Sequence, residues 1–327
     1  QSAILTRGVL WRAPDGTIVQ LRFERFASAD NQHVLALRVR VKVLSAGTHQ
    51  LTIESALDGT TAYTPDLTDS RKRVDHWAQL VGGAQADTLH LDGVTSQSGY
   101  GVSMAAHLRI SGASVTYQDT SAPRVAAHQA SMTVERHQEI EATKIIAVHT
   151  TRDSEQPDIA ARSTLDLAVQ AGWDVLYEAH RAVWTQRWHD FDVLIEGDEV
   201  AQRAIRFNLY HLLIATPMHD ERVSIAAKTL SGYGYRGHVF WDTELFMLPP
   251  LTLVDPEASR RLLMYRYHNL AGARAKAAEA GYEGAMFPWE STDTGEETTP
   301  RWVGSVDEPI RVWTGDHEQH ISSDIAY

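Results

Sequence analysis

A chain of 327 residues, 43% of them hydrophobic, is long enough for two domains with a core each. Its 30 Lys and Arg stand against 42 Asp and Glu, a formal net charge of −12, and no window gathers the cation density that a phosphate backbone demands, which excludes nucleic acid as a partner. With no cysteine there is no disulfide, thiolate nucleophile or Cys-ligated zinc; with no signal peptide and no apolar run near the ~20 residues of a membrane span, no membrane role is expected and a cytoplasmic location is.

The first half alternates with period two. Leu35, Leu37, Val39, Val41 and Val43 interleave with Ala36, Arg38, Arg40 and Lys42, the pattern of a half-buried strand. Similar runs over 18–26, 50–55, 88–91, 101–110, 131–135 and 140–150 are separated by Gly, Asp, Ser and Pro clusters. Regularly spaced strands without intervening helices predict an antiparallel β-sandwich over residues 1–155. The pattern is already strand-like at Gln1, so that domain is expected to be incomplete at its start.

At Pro157 the period changes. Trp173, Leu176, His180, Val183, Trp184 and Trp188 recur at three- and four-residue steps, placing an aromatic stripe on a helix over about 163–188, where it serves packing. A second helix starts with Asp198 as its N-cap and buries Ile205, Leu209, Leu212 and Leu213. A third starts at Asp255-Pro256-Glu257 and ends at Gly281. Beyond Asp198 nothing alternates like a strand, so this half is expected to be helices and long loops. The last run, Ile321 to Tyr327, is helical without a stop signal, as in a piece of a longer polypeptide.

Two stretches carry chemistry. Gly234-Tyr-Arg-Gly-His-Val-Phe-Trp-Asp-Thr-Glu244 packs aromatics, a cation, a histidine and two carboxylates together. Aromatic faces stack on the C–H faces of a pyranose, and carboxylates or a guanidinium hold its hydroxyls. The bland alternative is a helix start capped by Asp242 with Phe240 and Trp241 in the core. The second stretch, Gly284 to Trp302, holds Trp289, Glu290, Asp293, Glu296, Glu297 and Arg301 and reads as a pocket wall or as a solvated acidic loop. Gly232 to Gly237 matches a three-glycine dinucleotide pattern but lacks a βαβ setting and reads as a turn. His317 and His320 are three apart where the zinc-protease helix needs four, so no metal site is expected.

At these clusters the chain resembles glycoside hydrolase family 65, inverting α-glucoside phosphorylases and related hydrolases acting on maltose, trehalose, kojibiose and nigerose. The resemblance rests on Gly237 to Glu244 with Phe246-Met-Leu-Pro249, on Gly284 to Glu290, and on His320 to Tyr327. The stretch Trp184 to Phe207 is similar to the family's interdomain segment. It implies a multidomain β plus α fold: an N-terminal antiparallel β-sandwich (1–155), a helical linker (156–197) and the first part of an (α/α)6 barrel (198–327, truncated). Carried over by position, Trp241 and Asp242 contact the non-reducing glucose at subsite −1, Arg236 and His238 neighbour it, and Trp289 and Glu290 belong to the pocket wall. The family's general-acid Glu sits in a downstream Gly-Pro-Asp-Glu-Tyr-like motif, so no catalytic residue is expected in this chain.

The implied reaction is inverting phosphorolysis of an α-linked glucose disaccharide to β-glucose 1-phosphate and a sugar acceptor. It needs no cofactor, only inorganic phosphate as co-substrate. Inversion requires an acid on the glycosidic oxygen and a nucleophile on the opposite face. The alternatives are an inverting kojibiose- or trehalose-type hydrolase and a non-catalytic carbohydrate-binding fragment. The family also implies a homodimer, and a second chain or segment is expected to complete the barrel.

Overall fold

The computed structural model describes residues 2–60, 75–229, 234–304 and 307–327. Ten strands come first: β1 (Leu5–Arg12), β2 (Ile18–Ala27), β3 (Val34–Val43), β4 (Thr48–Asp58), β5 (Trp77–Gln85), β6 (Thr88–Thr95), β7 (Gly101–Ser111), β8 (Thr116–Asp119), β9 (Val125–Glu135) and β10 (Glu139–Thr150). They form a seven-stranded sheet in the order β1-β2-β3-β10-β7-β6-β5 and a three-stranded sheet in the order β4-β9-β8. All pairings are antiparallel. The strands β5 and β8, which the periodicity did not mark, are both sheet edges. An edge strand has one neighbour and incomplete cover, so selection for alternation is weak there.

The sheets pack face to face. Val41, Leu108, Ile140 and Ala142 meet Ala130, Met132 and Val134 in one apolar cluster, while Leu89, Leu91 and Ala106 meet Leu57 and Ala126 in another. Between them on β10, Lys144 points inward and its Nζ donates to Ala56 O at 2.7 Å. The neighbouring inward positions hold His128, fully buried, and Ser55, also buried, directly paired across β9 and β4. Burial alone pushes the Lys144 pKa down to about 8, and burial likewise lowers that of His128. A lysine of pKa 10.5 when unfolded and about 8 when folded is protonated in the unfolded chain but not in the folded one between those values. Stability therefore rises with pH across that window, and the full penalty applies below pH 8. We expect Lys144→Met to stabilise the unit at pH 7 by about 1–2 kcal/mol, after allowing for partial solvation and the lost hydrogen bond. Its denaturation midpoint, unlike the parent's, should not climb between pH 8 and 10 on this account; a destabilised Met variant would refute the assignment.

Helix α1 (Pro157–Phe191) lies on the outer face of the large sheet. Ala161, Leu165 and Ala168 pack on Val34, Ala105, Ile145 and Ala147. Trp173 packs edge-on against Phe26 with ring centroids 5.1 Å apart, and Arg38 stacks 4.3 Å over the same indole. Trp173 and Trp184 are buried, as a packing stripe requires. The helix breaks at Gly172 (φ 78°, ψ 171°), a conformation available to glycine at little cost, which lets the aromatic half follow the twisted sheet.

A division of the chain at Trp188/His189 separates a second compact unit. It contains α2 (Glu199–Ala215), a 3-10 turn at Gly234–Gly237, β11 (Val239–Phe240), a π turn at Thr243–Met247, α3 (Leu248–Val254), α4 (Pro256–His268), α5 (Leu270–Glu279), β12 (Glu290–Ser291), β13 (Trp302–Gly304), β14 (Pro309–Arg311), α6 (Thr314–His317) and α7 (Ile321–Ala326). Asp198 caps α2 by accepting from the amides of Val200 and Ala201, and Asp255 caps α4 by accepting from Ala258 N. Leu213 is buried on α2, whereas Ile205, Leu209 and Leu212 are half-buried. The single helix read between Asp255 and Gly281 is two, interrupted at Asn269. The expectation of no strands beyond Asp198 is corrected by β11–β12 and the β13–β14 hairpin. Strands of two and three residues are too short to show a period and are set by their partners. Among the described residues no helix is long and apolar enough to cross a membrane.

Candidate functional site

The two chemistry-bearing stretches, distant in sequence, are joined by β11 and β12. Val239 pairs with Ser291 and Phe240 with Glu290 in antiparallel register. This short ladder sets Trp241 and Trp289 side by side, ring centroids 5.9 Å apart. His320, just before α7, stands edge-on to both, 4.9 Å from Trp241 and 6.3 Å from Trp289. Phe246 extends the aromatic surface 5.7 Å beyond Trp241. The Trp241 indole N–H is buried and has no partner among the described residues.

Asp242 follows Trp241 at the N-cap position of the π turn, yet its side chain makes no cap hydrogen bond. It is half-buried, and its carboxylate has no hydrogen bond or ion pair among the described residues. A helix-cap role for Asp242 therefore finds no support in its geometry. Inserted π turns recur at functional sites, because the extra residue re-aims the side chains around it.

The other carboxylates of the two stretches are engaged. His238 Nδ1 lies 2.7 Å from Glu290 Oε2, both residues buried, with Thr298 Oγ1 3.3 Å from the same nitrogen. Glu244 is held by Arg266 of α4 in a buried two-pronged pair, Nε to Oε1 at 2.7 Å and Nη2 to Oε2 at 2.9 Å. The same guanidinium donates to Phe240 O at 3.0 Å and to Ser291 Oγ at 3.2 Å, so Arg266 fixes both short strands at once. Tyr265 OH adds a 2.5 Å bond to Thr292 O. Glu297 accepts from Lys276 Nζ at 2.5 Å, Trp289 N at 2.9 Å, Glu290 N at 3.2 Å and Thr299 Oγ1 at 2.6 Å. Burial raises its pKa, but the bonds from Lys276, Thr299 and Trp289 outweigh it and hold the carboxyl below the usual range. The loop that carries Glu297 lies against α5 at Gly272, where an added Cβ would come 2.5 Å from the backbone of Gly295.

Arg236 is not brought into this cluster. It is exposed in the 3-10 turn at φ 57°, and its guanidinium has no partner among the described residues. Of the three-glycine stretch, residues 232 and 233 lie outside the described residues. His320 bonds Asp324 at 2.5 Å and lies 3.3 Å from Glu318, while His317 stacks on Trp313. Arg266 and Tyr265 were not singled out because nothing local marks them; Glu297 was read only as part of the acidic pocket-wall loop, and His320 only as the head of the last matching stretch. A separate open cavity of about 290 Å3, lined by Lys276, Glu279, Glu296, Glu297, Arg301 and Asp316, does not include Trp241 or Asp242.

Paired aromatic walls beside an unengaged carboxylate, in a chain that also carries a β-sandwich, are the features of a carbohydrate-active protein. Residues 1–187 match the glycosyl hydrolase family 65 N-terminal domain, and residues 206–327 match the glycosyl hydrolase family 65 central catalytic domain. The chain belongs to glycosyl hydrolase family 65. It is 39% identical to the kojibiose phosphorylase of Halothermothrix orenii over 99% of this chain and 42% of that protein. It is 30% identical to the nigerose phosphorylase of Lachnoclostridium phytofermentans over 99% of this chain and 45% of that one. The kojibiose hydrolase of Flavobacterium johnsoniae is 43% identical over 51% of this chain and 23% of its own length. A solved chain from the human microbiome, provisionally described as a kojibiose phosphorylase, has a similar fold, with a TM-score of 0.79 at 22% identity over 90% of this chain and 38% of that one. The chain thus spans less than half the length of the curated relatives it matches end to end.

Proposed function

We propose that this chain is part of an inverting phosphorylase that cleaves an α-linked glucose disaccharide with inorganic phosphate, giving β-glucose 1-phosphate and a free sugar acceptor. The observation that carries the reading is the Asp242 carboxylate, left without a partner beside Trp241, Trp289 and His320 while Glu244, Glu290 and Glu297 are each committed within the fold. In this reading Trp241 and Asp242 grip the glucose at subsite −1. His238 and Glu290 brace the same wall, Trp289 completes it, and Arg236 reaches the site only if its turn refolds on sugar. The grip supplies orientation; the proton donor to the glycosidic oxygen comes from a segment beyond these residues.

The same reading assigns residues 1–155 to a sandwich domain, 156–197 to a linker and 198–327 to the opening part of an (α/α)6 barrel. A further segment completes that barrel. Kinship with phosphorylases over the full chain supports phosphate as the nucleophile. The higher identity to a kojibiose hydrolase over half the chain supports the second reading, inverting hydrolysis.

The two separate cleanly in an assay of the complete enzyme on kojibiose with and without phosphate. Phosphate-dependent release of glucose 1-phosphate is the expected result; equal turnover to two glucoses without phosphate establishes the hydrolase. Trp241→Ala should raise KM about tenfold to a hundredfold, the value of about 1.5–3 kcal/mol for one buried aromatic contact. Unchanged KM in that variant removes Trp241 from the sugar site.

A further inference from the structure

We propose that His33, His149 and Asp153, all in the first unit and none of them among the sugar-site residues, form a binding site for a divalent transition-metal ion of the zinc or cobalt type. One potential ligand atom of each residue lies within 4.8 Å of those of the other two. His149 is only 8% exposed, and its Nδ1 is buried with no hydrogen-bond partner. A buried ring nitrogen with nothing to bond needs a partner, and an ion is one that would fit here.

The remaining atoms of the cluster are braced as metal ligands are. His149 Nε2 sits 2.9 Å from Thr164 Oγ1 on α1, which leaves Nδ1 free to present a lone pair when Nε2 carries the proton. His33 Nδ1 lies 2.9 Å from Val148 O, and a carbonyl only accepts, so the proton is on Nδ1 and the lone pair on Nε2. Asp153 Oδ2 accepts from Thr150 N at 2.8 Å and Thr150 Oγ1 at 2.7 Å, with Oδ1 left over. Each residue thus has a hydrogen-bond partner that decides which of its atoms is left for an ion, as second-sphere partners do in metal sites.

Two imidazole nitrogens and one carboxylate oxygen suit zinc or cobalt, not the all-oxygen shells of calcium and magnesium, and water supplies a fourth ligand. One rearrangement accompanies binding. The two rings are stacked, centroids 3.7 Å apart and 14° between planes, so their lone pairs run side by side. His33 rotates to converge on the ion and releases the Gln32 amide, now 3.2 Å from its Nε2. The ion then ties the segment entering β3 to the end of β10 and the turn into α1.

The test is equilibrium dialysis of the full chain, tag-free and stripped with chelator, against Zn2+ or Co2+. One ion per chain is expected, with a Co2+ absorption spectrum of a nitrogen-and-oxygen site and a Tm raised by about 5 °C at saturation. Asp153→Asn, which keeps an oxygen for Thr150, should weaken binding at least tenfold, and His149→Ala should abolish it. If His149→Ala loses its far-UV signal, His33→Gln takes its place in the series. The proposal is overturned if the stripped parent takes up no stoichiometric ion, or if the folded variants bind it as the parent does.

Discussion

Asp242→Ala is expected to lower kcat/KM of the complete enzyme by about a thousandfold while leaving its thermal stability unchanged. The carboxylate caps no helix and has no partner among the described residues, so the fold does not depend on it. Hydrogen bonds from sugar hydroxyls to a charged acceptor contribute about 1.5–3 kcal/mol each. Two of them give about 4 kcal/mol, a factor of about a thousand in rate. Asp242→Asn keeps one acceptor oxygen and should fall between parent and alanine. A pronounced drop in melting temperature with activity retained would return Asp242 to the role of a helix cap.

The largest stability effect is expected at Arg266. Its guanidinium is 3% exposed and holds Glu244, Phe240 O and Ser291 Oγ together. Arg266→Met leaves the Glu244 carboxylate buried and unpaired, which costs about 3–5 kcal/mol. The double variant Glu244→Leu/Arg266→Met should recover a large part of that loss, because two apolar groups replace two charges. Denaturant midpoints of the four proteins in the cycle measure the coupling. If the double variant is no more stable than Arg266→Met, the cost lies in the lost bonds to Phe240 and Ser291 and not in the stranded charge. Either outcome should also weaken sugar binding in the single variant, since the same side chain fixes the strands beside Trp241 and Trp289.

Much of the architecture was legible because it is written in local periods. Alternation over Leu35 to Val43 marked β3 inside the large sheet, and the change of period at Pro157 marked α1, which begins there, about six residues before the expected start near 163. Asp198 and Asp255 announced the two helix starts that they cap. The edge strands β5 and β8 escaped, as did the two small ladders of the second unit, because each depends on a neighbour and not on its own pattern. Family membership was legible from the two aromatic and acidic stretches, whose residue order is distinctive even without a known contact.

The sequence alone determined that carboxylates and tryptophans were concentrated at two places. Only the tertiary structure decided what each carboxylate does. Glu244 is committed to Arg266, 22 residues away, Glu290 to His238, 52 residues away, and Glu297 to Lys276, 21 residues away, while Asp242 is left over. The physical reason is that hydrophobic period and capping are properties of neighbouring residues. Desolvation and ion pairing depend on which distant group arrives at the same buried point.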